Sequence, residues 1–133
     1  MPGREKARRS GDDLVERVAG IAGRLGLLVH REVRVGRRVW GAERFIDVVL
    51  TNPLDRKRIG IECKAQETKG SAEEKIPTTV RDIEAWPIEG LVVFSGEGLS
   101  RNMVSYLVAS GRAVHVSDLE AWLRLFFGLD LVP

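Results

Sequence analysis

The sequence predicts an α/β fold, and three observations carry that prediction. Arg44-Phe45-Ile46-Asp47-Val48-Val49-Leu50 and Ile59-Gly60-Ile61-Glu62-Cys63-Lys64-Ala65-Gln66 are short, apolar and β-branched, so both read as strands. The turn-like Thr51-Asn52-Pro53-Leu54-Asp55 separates them. Further on, Leu91-Val92-Val93-Phe94 and Ala113-Val114-His115-Val116 read as strands that alternate with helical stretches. At 133 residues, 44% of them hydrophobic, the chain has room for one domain with a single core.

Each element has its own signals. Residues 1–10 read as a flexible basic arm, and residues 11–133 as one domain. Ser10 is placed to cap a first helix over about 11–25, with Asp12 and Asp13 favourable in its first turn. Leu14, Val18, Ile21, Ala22 and Leu25 form its apolar stripe, and Gly26 ends it. A strand follows over about 27–35, then the turn Gly36-Arg37-Arg38 and the two strands named above. Ser71 and Glu74 form a capping box for a helix over about 72–85, in which Pro77 predicts a kink or a late start. Ser100 caps a helix to about Ser110, and Ser117 or Asp118 opens a last one to about Phe127. The resulting order is αβββαβαβα.

Composition excludes several classes. No apolar run approaches the roughly 20 residues that span a bilayer. A single cysteine, Cys63, rules out an internal disulfide and a cysteine-based zinc site, and the default expectation is the cytoplasm. The net charge of +2 permits nucleic-acid binding without arguing for it. The Gly-rich Ser95-Gly96-Glu97-Gly98-Leu99-Ser100 matches no nucleotide-binding spacing, so no nucleotide cofactor is expected.

The unusual residues are Asp47, Glu62 and Lys64, charges placed inside apolar strands. Burying them is costly unless they are paired or bind a cation. Side chains alternate along a strand, so Glu62, Lys64 and Gln66 share one face while Ile61, Cys63 and Ala65 take the other. A hairpin would bring Asp47 beside Glu62, giving two hard oxygen ligands for Mg²⁺ next to an ammonium. That combination suits phosphodiester hydrolysis. Removing either carboxylate would then relieve like-charge repulsion and leave stability unchanged or higher. Read blandly, Asp47 is a strand-end turn residue, and Glu62 and Lys64 are an exposed pair on an edge strand.

At these residues the chain resembles the PD-(D/E)XK nuclease superfamily, whose motif is an Asp near the end of one strand and Glu-x-Lys on the next. Here these are Asp47 and Glu62-Cys63-Lys64, with Ile46 in place of the motif's proline. The stretch from Gly70 to Pro77 is similar to one that follows the Glu-x-Lys strand in restriction-type members. The likeness spans about residues 11 to 127. It implies a restriction-endonuclease-like core, a central mixed β-sheet flanked by helices, and a DNA endonuclease dependent on Mg²⁺, with Mn²⁺ as substitute. It further implies that Asp47, Glu62 and the Cys63 backbone carbonyl ligate the metal, and that Lys64 acts on the attacking water. Glu16 lies where some members place a further carboxylate, although the helical wheel turns it away from the apolar stripe.

Other assignments stay open between function and plain structure. Gln66 is either a water- or substrate-orienting residue of the catalytic face or a strand end. Arg37, Arg38, Lys69 and Lys75, with Arg8 and Arg9 on the arm, are expected to meet DNA phosphate or to be solvated. Surplus apolar residues in the last helix and tail, Leu119 to Val132, lead to an expected homodimer, unless the tail covers its own core. A Holliday-junction-resolvase-like enzyme and a non-catalytic nucleic-acid-binding module on the same fold are the alternative functions.

Overall fold

A computed structural model describes residues 2–37, 43–65, 76–96 and 101–129. The elements are α1 (Pro2–Arg24), β1 (Leu28–Arg37), β2 (Glu43–Thr51), β3 (Arg58–Ala65), α2 (Ile76–Glu84), β4 (Gly90–Ser95), α3 (Arg101–Ala109), β5 (Ala113–His115) and α4 (Leu119–Phe127). The order is the expected αβββαβαβα. The strands form one mixed sheet in sequence order. β1, β2 and β3 pair antiparallel, whereas β3 with β4 and β4 with β5 pair parallel. The parallel pairs require crossovers, and α2 and α3 supply them.

Two apolar layers cover the sheet. On one face Leu14, Val18, Ile21 and Ala22 of α1 pack with Leu119, Leu123 and Phe127 of α4 over Val48, Leu50, Ile59, Ile61, Leu91 and Val93. On the other, Val80 and Ile83 of α2 pack over Val92 and Phe94. The helical spacing of 14, 18, 21 and 22 forms the stripe read from the sequence. Gly26, with φ of 81°, lies in the turn that ends α1.

One boundary, the start of α1, differs from expectation. Residues 2–10 are helical, continuing α1 toward its N-terminus, so Ser10 is an interior helix residue and not a cap. Glu5, Lys6, Ala7, Arg8 and Arg9 are strong helix formers, and nothing in that run stops a helix. Within the described residues α2 begins at Ile76, with Pro77 in its first turn, where a missing N–H is harmless. A short 3₁₀ turn, Val116–Asp118, precedes α4, and the His115 ring accepts the Ser117 N–H there. The proposed cap pair Ser71 and Glu74 lies outside the described residues.

The apolar surplus of α4 is largely absorbed by its own core. Trp122, Phe126 and Leu129 lie partly buried against the α1-side layer, and Trp122 stacks on Phe126 at 5.1 Å. Lys57 holds the helix end, donating to the Phe126 carbonyl at 2.6 Å while sitting over its ring. Leu125 alone among the described α4 residues is a strongly exposed large hydrophobe, at 69%.

Candidate active site

The antiparallel pairing of β2 with β3 runs from Thr51↔Arg58 to Val48↔Ile61 and stops there. The next residue of β2 is Asp47. Its Oδ2 accepts the backbone N–H of Cys63 at 2.9 Å, a bond the ladder would otherwise satisfy with a carbonyl. An extended residue points its N–H and C=O to the same neighbouring strand, so the Cys63 carbonyl faces this gap as well. The two strands diverge at the motif residues.

β1 is interrupted at the same level. Its register with β2 is Arg31↔Val48 and then Val33↔Ile46, with no pair between them at Glu32 and Asp47. Glu32 has a left-handed backbone, φ 51°. The alternation of β2 changes across this point. Val48 packs into the α1-side layer, whereas Ile46 reaches the other face, its Cδ1 beside Gly60 and the Trp86 ring.

Two cavities lie by the motif residues, and Asp47 lines one of them. One, of about 510 Å³, is lined by Asp12, Val15, Glu16, Arg31, Glu32 and Asp47. The other, of about 240 Å³, is lined by Glu62 and Lys64 with Arg44, Phe45, Thr79, Asp82, Ile83 and Trp86. Glu62 and Lys64 share a face, as alternation requires, and that face is covered by α2. Glu62 is pushed up to about 8, first by burial and then by the Asp47 charge beside it. The protonated form also hydrogen-bonds Asp47, while Lys64 pulls the other way. Burial, with the neighbouring Asp47 charge, thus favours the protonated form of Glu62.

Cys63 faces away, buried in the α1-side layer, and burial raises its thiol far above the ordinary range. A thiol so held is no nucleophile. Glu16 is engaged elsewhere: Arg31 Nε and Nη2 donate to its two carboxylate oxygens at 3.0 and 3.1 Å on an exposed surface. It lines the cavity of Asp47 but not that of Glu62. Gln66, Arg38, Lys69 and Lys75 lie outside the described residues, and Arg37 ends β1 with only its backbone described.

Sequence reasoning missed Arg44 and Asp82. Arg44 of β2 reaches Asp82 of α2 at 3.4 Å and so brings a guanidinium to the rim of the Glu62–Lys64 cavity. No sequence signal links the two, because α2 is placed over β3 only by tertiary packing. Trp86 fills the trough made by Gly60 and Gly90, which are register partners on β3 and β4.

Among the described residues, no three His, Cys, Asp or Glu side chains cluster closely enough to hold a metal ion unaided. Two carboxylates and a carbonyl nevertheless suit a hard divalent ion that keeps several waters and takes further oxygens from substrate. The raised Glu62 carboxyl beside Asp47 marks a place where a cation would be favourable.

No functionally curated protein matches the chain. The crystal structure of a protein of unknown function, AF1548, matches with a TM-score of 0.52 at 19% identity. The match covers 78% of this chain and 58% of that one, so the chain spans under two thirds of the length of its structural neighbour. At that identity the likeness shows the fold alone. A model of the PD-(D/E)XK nuclease superfamily domain matches residues 6–126, which include both motif strands and the flanking helices. This chain belongs to the PD-(D/E)XK nuclease superfamily.

Proposed function

We propose that the chain is a divalent-metal-dependent DNA endonuclease, using Mg²⁺ with Mn²⁺ as substitute. One observation carries the reading: the Asp47 carboxylate takes the Cys63 amide where β2 and β3 part, beside Glu62 and Lys64. Asp47, Glu62 and the Cys63 carbonyl would hold the ion. When bound, the ion supplies Lewis-acid stabilisation of the charge that develops on the scissile phosphate. Glu16, which lines the Asp47 cavity with Asp12 and Glu32, is the further carboxylate of this reading and would have to give up Arg31.

The residues of the chain do the rest. Lys64 offers its ammonium on the Glu62 side, where it orients the attacking water or neutralises the developing negative charge. Gln66, outside the described residues, is the water- or substrate-orienting residue of this reading. Arg44, steadied by Asp82, offers a fork-shaped donor that fits a phosphate flanking the scissile one. Arg37, Arg38, Lys69 and Lys75 are the further phosphate contacts of this reading. A reducing compartment such as the cytoplasm suits the free, buried Cys63. No helix among the described residues is long and apolar enough to cross a membrane.

A homodimer belongs to the reading because one site cuts one strand, and cutting both strands needs two. Its support no longer includes α4, whose apolar residues other than Leu125 are largely packed on their own core. Light scattering at micromolar concentration decides it.

The test of function is incubation with linear, nicked, flapped and four-way DNAs plus Mg²⁺ or Mn²⁺. Metal-dependent cleavage of linear duplex, lost in Glu62→Gln and Lys64→Ala, is the expected result. Cleavage confined to four-way DNA would give the resolvase-like enzyme. No cleavage of any DNA, with no cation binding by calorimetry, would leave a non-catalytic binding module.

A further inference from the structure

We propose that Glu32 is a positioning residue acting through its backbone: its left-handed conformation opens the β1–β2 pairing at one position and thereby aims Asp47 at the Cys63 amide. The inference rests on the reading of Asp47 as a metal ligand and extends it to a residue on a strand the motif does not include.

Four observations meet at this point. Glu32 has φ 51° within β1, a conformation that L-residues in strands avoid. The pair it would make with Asp47 is missing, yet the register is the same on both sides, Arg31↔Val48 before and Val33↔Ile46 after. The interruption is therefore local: the register continues to Arg34↔Phe45, and the separate one-residue shift between Arg34 and Gly36 lies beyond it. Asp47 uses its carboxylate to take the Cys63 N–H, where the β2–β3 ladder has ended. Across Asp47 the side chains of β2 change face, from Val48 on the α1 side to Ile46 on the α2 side.

These are one event. If Glu32 were extended, the 32–47 pair would close. Asp47 would then be held as an ordinary ladder residue, with its side chain standing off one face of the sheet. Its carboxylate would leave the plane between β2 and β3, where it now reaches Cys63 and Glu62. Glutamate has no intrinsic preference for a positive φ, whereas glycine adopts it without steric cost. The Glu32 side chain is exposed and lines the same cavity as Asp47, so the carboxylate itself is a rival explanation that the test must separate.

Three variants do so. Glu32→Gly keeps the left-handed backbone and deletes the side chain. Glu32→Gln keeps the side-chain length and deletes the charge. Glu32→Val is β-branched and strongly disfavours positive φ. Two readouts are followed: hydrogen exchange of the Cys63 amide in metal-free protein, and the Mg²⁺ dissociation constant by calorimetry. The expected result is wild-type protection and affinity, within about twofold, for Glu32→Gly and Glu32→Gln. Glu32→Val should lose Cys63 protection and bind Mg²⁺ at least tenfold more weakly, while thermal unfolding stays cooperative.

The proposal is overturned if Glu32→Val keeps both readouts, or if Glu32→Gly loses affinity as Glu32→Val does. Should Glu32→Val not fold, the other two variants decide. Retained Cys63 protection and affinity in both supports the backbone role, and loss in both overturns it in favour of the carboxylate. The amide readout needs neither metal nor DNA. A wild-type protein that protects Cys63 but cuts no DNA would thus fail the endonuclease reading and leave the positioning role standing.

Discussion

Asp47 and Cys63 are joined across the parting of β2 and β3 by a 2.9 Å bond from the Cys63 amide to the Asp47 carboxylate. This bond makes the two motif carboxylates unequal. Glu62 is held beside Asp47 at the cost of its ionisation, whereas Asp47 satisfies a backbone donor.

Substitution should expose the inequality. Both Asp47→Ala and Glu62→Gln are expected to reduce DNA cleavage to background. Their stabilities should part company. Asp47→Ala strands the part-buried Cys63 N–H and should cost about 1–3 kcal/mol. Glu62→Gln removes an under-compensated acid and should leave stability unchanged or raise it. The expectation from sequence, that either removal is harmless, is thus modified for Asp47. Chemical denaturation without metal measures both, and equal losses would contradict the asymmetry.

The raised Glu62 carboxyl makes stability depend on pH. Its folded value of about 8 lies above its ordinary 4.5, so the folded state binds this proton more tightly than the unfolded chain does. The associated stabilisation is complete below 4.5 and is lost as pH rises to about 8. Metal-free protein should therefore lose stability, on the order of a few kcal/mol, across that window. Mg²⁺ affinity should rise over the same window, because the ion must displace the proton, and level off above it. Thermal scans from pH 5 to 9 and proton release in calorimetry follow both effects. A slope that persists unchanged in Glu62→Gln would assign the linkage to another group.

The order of elements, the two motif strands and the apolar stripe of α1 were legible because local periodicity encodes them. Leu14, Val18, Ile21 and Ala22 announce a buried helix face, and Glu62 and Lys64 announce a shared strand face, without tertiary knowledge. The interruption at Glu32 was not legible, since glutamate carries no sign of a positive φ. Nor was the Arg44–Asp82 pair, made by elements remote in sequence. The start of α1 was misread because Ser10 offers a cap that the helical run before it overrides. Gln66 and the basic residues at 38, 69 and 75 fall outside the described residues and keep the standing of expectations.

Gly60 and Gly90 should both resist alanine, for different reasons. A Cβ on Gly60 would lie 2.9 Å from the Trp86 ring and 3.2 Å from Ile46 Cδ1, both side-chain atoms. On Gly90 it would meet Ile83 Cβ and the Trp86 ring at 2.9 Å and the Ile83 backbone oxygen at 3.1 Å, so α2 itself must move. Each substitution should cost about 1–3 kcal/mol by overpacking. A second change, Trp86→Leu, should recover much of the loss for Gly60→Ala and little for Gly90→Ala. Equal recovery in the two backgrounds would mean that the helix backbone is not the obstacle.

DNA binding should depend on salt and on the cation together. A net charge of +2 gives little general attraction, so affinity must come from a few placed phosphate contacts. Each such contact adds about 0.9 to the slope of log affinity against log salt. Arg44 is the described residue whose guanidinium reaches the Glu62–Lys64 cavity, and Arg44→Ala should lower that slope by about one. The negative charge of Asp47 and Glu62 repels the backbone until a cation is present. Ca²⁺, offered as a non-catalytic substitute for Mg²⁺, should therefore raise the affinity of the wild type, and should do so far less in Glu62→Gln. Fluorescence anisotropy with Ca²⁺ and with chelator, at several salt concentrations, measures all three effects. Equal affinity in Ca²⁺ and chelator, with no salt slope, would show that DNA does not dock through this site.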